Sequence, residues 1–309
     1  MKELKVGIHN CEPEYQNMAL DKWAVYHTRL GDQVETHIPL DNSYDKIICS
    51  SIFSFTDKSD LLIDDRWECG GTGFDLYKKL PQEVESIILR NNYGFTQRGC
   101  DRGCSFCVVN KKEGNAHPVG DIYDIWDGKS KSITLYDNNI LLLPQHFNMI
   151  CSQLRTSKVK VDWNQGLDIR LLNNDVAEEL ASIKHAEYHF AYDNKGMDQL
   201  IIDGVNKLVS KGIKQSIFYV LIGFNTTIQE DLHRLNLLRK LKQRAYVMFY
   251  QKCGDTQEAR KYTKNEIIIQ KSIKRWANKK SWFAGCTFEQ FVNREENRSR
   301  DLGSYKIVI

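Results

Sequence analysis

From Tyr93 to Tyr250, short β-type runs and amphipathic helical runs alternate, and this alternation limits the fold more than any other feature of the 309-residue chain. The strand candidates are YGFT, SITLYD, KVKVDW, EYHFAY, QSIFYVLIG and AYVMFY, enriched in the β-branched and aromatic residues that suit a pleated surface. Between them, PQHFNMICSQLR places Phe147, Ile150, Cys151 and Leu154 on one helical face behind Pro144. NDVAEELASI opens on an Asn174 or Asp175 cap and continues through Val176, Leu180 and Ile183. GMDQLIIDGVNKLVSKGI carries Met197, Ile201, Val205 and Leu208 down one side and stops at Gly212, and TIQEDLHRLNLLRKLK repeats the pattern with Ile228, Leu232, Leu235 and Leu238. Strands joined by right-handed crossover helices make an incomplete (β/α)6 barrel of TIM-like type. In such barrels the chemistry gathers at the carboxyl ends of the strands.

Ahead of this region lies a smaller α/β unit. ELKVGIHN reads as a strand, MALDKWAVYHTRLGD as a helix closed by Gly31, and QVETHIPL and DKIICSSIF as two further strands, a pattern of Rossmann-like type. KLPQEVESIILRN links the two parts, with Pro81 breaking the preceding element. The expected division is 1–80 for the small domain, 81–250 for the barrel and 251–309 for a helical, basic extension. GGTG at Gly70–Gly73 reads as a tight turn.

The chemistry points to RGCDRGCSFC, where Cys100, Cys104 and Cys107 stand as Cys-x-x-x-Cys-x-x-Cys with Phe106 before the last thiol. A loop can wrap three such thiolates around three corners of a cubic iron-sulfur cluster. Four cysteines close the shell of an electron-transfer cluster, so three leave one iron open to a substrate or cofactor. A zinc site competes with this reading, with His117 or Cys69 as fourth ligand, but the paired spacing of zinc modules is missing. Cys11, Cys49, Cys69, Cys151, Cys253 and Cys286 are scattered and read as packing residues.

Hydrophobic content of 41% and charged content of 27% are those of an ordinary globular protein. No stretch reaches the roughly 20 apolar residues of a membrane span. MKELKVGIHN lacks the pattern of a signal peptide, and nine cysteines with only three grouped do not form a secreted disulfide framework. A reducing, cytoplasmic setting without membrane contact is the expectation. The net charge of +3 excludes no partner, but basic residues crowd positions 239–280, from Arg239, Lys240, Lys242 and Arg244 to Lys279 and Lys280, interleaved with Tyr262 and Trp276. That pattern serves either phosphate contact with base stacking or a solvated helix face.

The cysteine loop resembles that of the radical S-adenosylmethionine (SAM) enzymes, whose Cys-x-x-x-Cys-x-aromatic-Cys motif it matches in spacing. The resemblance implies a 4Fe-4S cluster on Cys100, Cys104 and Cys107 and SAM chelating the open iron. It further implies one-electron cleavage to a 5'-deoxyadenosyl radical, which abstracts a hydrogen atom from a substrate. The first unit resembles a shortened form of the cobalamin-binding-like domain found in one branch of the family. Cobalamin itself is not expected, because no Asp-x-His-x-x-Gly stretch is present.

By position at the strand ends, the resemblance implies further cofactor contacts. Asp137, with Asn138 beside it, faces the methionine ammonium or forms a turn, and Arg170 binds the methionine carboxylate or pairs with Asp168. Gly223 lines the adenine or makes a plain turn, and Phe106, with Tyr93 and Phe95, excludes water from the cluster. A flavodoxin- or ferredoxin-like reductant is the implied partner. Two substrate classes stay open: a nucleic acid or nucleotide met by residues 239–280, and a peptide or small metabolite. A non-enzymatic iron-sulfur or zinc binding module is the alternative to an enzyme.

Overall fold

The computed structural model describes residues 2–296. The chain separates into two compact units, one running to Asn91 with Tyr123–Ile125 added, the other comprising Asn92–Ile122 and the chain from Trp126 onward.

In the first unit, β1 (Lys5–Asn10), β2 (Gln33–Thr36), β3 (Lys46–Ser50) and β4 (Trp67–Gly70) form a wholly parallel sheet in the order β2-β1-β3-β4. Helix α1 (Met18–Leu30) crosses from β1 to β2. It starts at Asn17, whose side chain accepts the Leu20 N–H, and ends at Gly31, where φ of 85° suits a residue without Cβ. Leu20 and Trp23 of α1 pack on Val6, Ile48 and Val84. Val84 lies on the short helix α2 (Gln82–Glu85), and the Lys22 ammonium meets the Glu85 carboxylate at 3.2 Å. These contacts explain why the division falls after Asn91 rather than at 80/81. Strand β4 escapes the periodicity of the sequence because its four residues are all only partly buried. In GGTG the second and third glycines are packing glycines: a Cβ on Gly71 would lie 2.4 Å from the Ser51 carbonyl oxygen and one on Gly73 2.2 Å from the Ser51 hydroxyl, whereas Gly70 has open space there.

In the second unit six parallel strands succeed one another: β5 (Tyr93–Gly94), β8 (Ser132–Leu135), β9 (Lys160–Trp163), β10 (His189–Ala191), β11 (Ile217–Ile222) and β12 (Arg244–Phe249). They pair as two sheets, β5-β8-β9 and β10-β11-β12, with isolated parallel bridges Val161–His185 and Leu167–Phe190 between the neighbouring segments. The small pair β6 (Gln97–Arg98) and β7 (His117–Pro118) runs antiparallel, with helix α3 (Val109–Glu113) between them. The crossover helices are α4 (Pro144–Ser157), α5 (Asn174–Ser182), α6 (Asp198–Ser210) and α7 (Ile228–Lys240). Phe147, Ile150, Cys151 and Leu154 of α4 are buried, as their spacing requires. The cap of α5 is Asn173, one residue before the expected position. A capping box of Thr227 and Glu230 opens α7.

Helices α8 (Lys264–Asn278), α9 (Lys280–Gly285) and α10 (Phe288–Glu296) belong to this second unit, so residues 251–296 are not a separate body. The rest of the expected C-terminal extension lies outside the described residues. Among those described, no helix is long and apolar enough to cross a membrane.

Arg234 of α7 ties two carboxyl strand ends together. Its guanidinium, fully buried, donates to the carbonyls of Tyr192 (2.7 Å) and Leu221 (2.8 Å) and to the Asp231 carboxylate (2.6 Å). Removing one partner of a buried pair strands the other charge. Arg234→Met is expected to lower unfolding stability by about 3–5 kcal/mol, read from denaturant midpoints. The double variant Arg234→Met/Asp231→Leu should recover part of that loss.

Candidate active site

The loop bearing the cysteines is closed at its base and pinned at several points. Gly99 has φ of 76°, and a Cβ there would sit 2.1 Å from the Asn115 carbonyl, so only glycine fits. Cys100 N–H donates to the Gly114 carbonyl at 3.0 Å, the Asn110 amide donates to the Cys100 carbonyl at 2.8 Å, and Asp101 accepts the Ala116 N–H at 2.9 Å. A turn from Cys107 N–H to the Cys104 carbonyl sets the last two thiols. From the far side, Gln257 N–H donates to the Ser105 carbonyl at 3.0 Å.

The chain leading into this loop is held by Asp137, which follows β8. One carboxylate oxygen accepts the N–H groups of Thr96 (2.6 Å) and Gln97 (2.9 Å); the other accepts the Thr96 hydroxyl (2.9 Å) and the Trp163 indole N–H (3.2 Å). Burial pushes its pKa up to about 6, against the pull of these donors. With both oxygens committed, Asp137 anchors the loop rather than offering a free edge to an ammonium. Asn138 accepts the Gly99 N–H at 2.8 Å, extending the anchor.

Asn139, the next residue, faces Cys100. It is 5% exposed, its N–H is held by the Gln97 side-chain oxygen at 2.9 Å, and its amide nitrogen lies 3.8 Å from Cys100 Sγ and 3.4 Å from Asp168 Oδ2. Its Oδ1 is buried without a hydrogen-bond partner.

Arg170 does pair with Asp168, through contacts of 2.6 and 2.9 Å, and Arg102 of the cysteine loop reaches the same carboxylate at 3.1 Å. Burial raises the Asp168 carboxyl, but the two guanidinium groups outweigh it and hold its pKa below the ordinary range. The positive charge of Arg170 also acts on the Cys104 thiol, pulling its pKa down against burial. Asp193, after β10, carries a negative charge toward Arg170 and toward Cys104 and Cys107; burial lifts its pKa to about 6.

Burial raises the thiols of Cys104 and Cys107 as well, partly offset at Cys104 by Arg170 and at Cys107 by the Val109 N–H. Each of these two is also raised by the charge of neighbouring loop cysteines. That donor set suits a cluster: three thiols on one loop, with the Asn139 amide beside Cys100 Sγ and the Arg170 charge acting on Cys104, influences that tune such centres. His117, the zinc alternative in this unit, is exposed and bonds the Asn115 carbonyl at 2.8 Å.

Phe106 meets Phe224 edge-to-face at 5.8 Å, and Phe224 meets Tyr250 at 4.8 Å, so the loop, the end of β11 and the end of β12 share one aromatic contact. Gly223 precedes this group with φ of 74°, in the left-handed region. Tyr93 and Phe95 turn instead to Tyr136, each 5.9 Å from its ring.

The basic segment 239–280 uses most of its aromatic partners internally. Arg239 lies over the fully buried Trp276, Arg260 over Tyr262, and Lys274 over Phe249. Lys240, Lys242, Arg244 and Lys280, with Arg239, line a hollow of about 620 Å³. It borders the residues entering β11 and β12, whereas the cysteines lie at the opposite, carboxyl side of the strands.

No protein-family model matches the chain, and no curated protein sequence matches it. Solved structures do. The radical SAM methyltransferase TsrM from Kitasatospora setae, with cobalamin and a 4Fe-4S cluster bound, superposes with a TM-score of 0.59 at 10% identity, over 80% of this chain and 75% of that one. SuiB from Streptococcus suis aligns at a TM-score of 0.44 in two structures: with SAM bound, at 14% identity over 62% of this chain and 49% of that one, and with its precursor peptide SuiA, at 13% over 68% and 52%. The chain therefore shares the fold of that radical SAM methyltransferase over most of its length.

Proposed function

We propose that the chain is a radical SAM enzyme, with a 4Fe-4S cluster on Cys100, Cys104 and Cys107 at the open end of a partial (β/α)6 barrel preceded by a small Rossmann-like unit. The observation that carries this reading is the Cys-x-x-x-Cys-x-aromatic-Cys spacing on a loop pinned by Asp137 and Asn138, with the Asn139 amide 3.8 Å from Cys100 Sγ. When bound, such a cluster supplies the electron that splits SAM into methionine and a 5'-deoxyadenosyl radical.

The chain's own residues bind and orient. Arg170, preset by Asp168 and still a third exposed, offers its free edge to the methionine carboxylate. The unpartnered Oδ1 of Asn139 takes the methionine ammonium, the role expected from sequence for Asp137. The left-handed turn at Gly223 and the rings of Phe106 and Phe224 receive the adenine. Asp137 and Asn138 hold the loop in place. A flavodoxin- or ferredoxin-like donor supplies the electron.

A nucleic acid at residues 239–280 would dock at the basic hollow, remote from the thiols, and this favours a peptide or small metabolite as the reacting substrate. Cobalamin is not part of this reading. The outcome of the reaction does not follow from fold.

The reconstituted cluster should give a reduced-state EPR signal that shifts when SAM is added; a signal indifferent to SAM would refute an open iron. Alanine at Cys100, Cys104 or Cys107 should abolish cluster assembly in iron and sulfide analysis. Asn139→Ala should retain iron but bind SAM about 10–100-fold more weakly, the loss of a hydrogen bond to a charged group, as read by isothermal titration.

Asp137→Asn tests the anchor through pH, in the metal-free protein. The folded-state pKa of about 6 lies above the ordinary 3.8, so this group favours the folded state at low pH, and that advantage fades as pH rises through 6. The stability difference between wild type and variant, from denaturant titrations, should therefore shift against the wild type by on the order of 3 kcal/mol between about pH 4 and pH 8.

A further inference from the structure

Cysteines that read as scattered in sequence meet in the first unit, well away in the chain from the loop described above. The parallel register sets His9 of β1 opposite Cys49 of β3, and Cys49 opposite Cys69 of β4. Cys11 follows β1 and brings its Sγ to 3.6 Å from Cys49 Sγ. One donor atom each of His9, Cys11 and Cys49 lies within 4.8 Å of the other two, the one such set of metal-type donors among the described residues. Cys69, opposite Cys49 in the strand register, adds a third thiol beside it. All are free cysteines.

The place is as informative as the donors. In the order β2-β1-β3-β4, strands leave β1 in opposite directions along the sheet, and ligands of open parallel sheets bind beyond the carboxyl ends at that switch between β1 and β3. His9, Cys11 and Cys49 stand there. A zinc–sulfur bond of about 2.3 Å in a tetrahedral shell puts neighbouring sulfurs about 3.8 Å apart, close to the Cys11–Cys49 separation. His9 Nδ1 lies 3.2 Å from His37 Nδ1, a contact that fixes the ring and leaves Nε2 for a metal. A disulfide between Cys11 and Cys49 would use neither the imidazole nor the third thiol.

We propose that His9, Cys11, Cys49 and Cys69 form a zinc site at the carboxyl ends of β1, β3 and β4. Two thiolates and an imidazole, completed by a third thiolate, make a closed soft shell of structural type. The ion fastens three strand ends of a small sheet beside the buried cluster of Val6, Leu20, Trp23, Ile48 and Val84. It also fixes the approach to the Gly70–Gly73 turn through Cys69. His37 is a positioning residue that orients His9.

The test separates this site from the loop thiols. The full chain carrying Cys100→Ala, Cys104→Ala and Cys107→Ala is purified anaerobically, stripped with a chelator and titrated with cobalt(II). One equivalent should bind with the thiolate charge-transfer and intense visible bands of a tetrahedral site, and zinc should displace it. Adding Cys49→Ala should remove those bands while the metal-free circular dichroism stays that of its parent. Cys69→Ala should reduce the charge-transfer intensity, and His37→Ala should weaken affinity about 10–100-fold. No tetrahedral cobalt in the triple variant, or bands that survive Cys49→Ala, would overturn the proposal. Should those variants fail to fold, the intact chain decides: zinc-edge X-ray absorption must show a sulfur–nitrogen shell beside the iron, and zinc-free protein with a Cys11–Cys49 disulfide under reducing conditions would overturn it.

Discussion

The site rests on one buried carboxylate. Asp137 gathers the backbone of Thr96 and Gln97, the Thr96 hydroxyl and the Trp163 indole around two oxygens, and so joins the ends of β8 and β9 to the chain entering the thiol loop. A loop carrying three thiols has little internal structure of its own, so its register must be imposed from outside. Gln97 extends the arrangement: its amide nitrogen donates to the Gly99 carbonyl at 2.6 Å while its oxygen receives the Asn139 N–H. Burial keeps these bonds from water and makes each worth more than on the surface.

From that anchor the polar groups fan out in a sequence set by the strands. Asn139 stands between Cys100 and Asp168, Asp168 between Arg102 and Arg170, and Arg170 between Asp168 and Cys104. The positive charge of Arg170 thus acts on Cys104, and Asp193, after β10, opposes it. Parallel strands deliver their carboxyl ends to one side, which is why residues far apart in sequence can act on one centre. The buried Arg234 serves the same end at β10 and β11.

Much of this was legible in the sequence, and the exceptions have a common cause. Helices α1, α4, α6 and α7 announce themselves through local signals: a 3.6-residue apolar period, Pro144 at a first turn, Gly31 at a last one. The three loop cysteines were legible because their spacing is itself local. Asn139 was not, because its meaning lies in Gln97, Cys100 and Asp168, none of them near it in the chain. Asp137 had an ambiguous local reading, and the burial that commits it to the loop is a tertiary property. Cys11, Cys49 and Cys69 looked like isolated packing residues because strand register, which sequence does not print, is what brings them together. The crowd of basic and aromatic residues at 239–280 was visible, but their pairing with one another was not.

The account stands on the claim that the loop thiols hold a cluster with an open iron that cleaves SAM. The most direct measurement is anaerobic: the reconstituted protein is reduced with dithionite, given SAM, and assayed by mass spectrometry for 5'-deoxyadenosine beside a Cys104→Ala control. Formation of 5'-deoxyadenosine by the intact protein and none by the variant is the predicted result. Equal amounts from both, or none from a fully loaded cluster that also fails to respond spectroscopically to SAM, would contradict it.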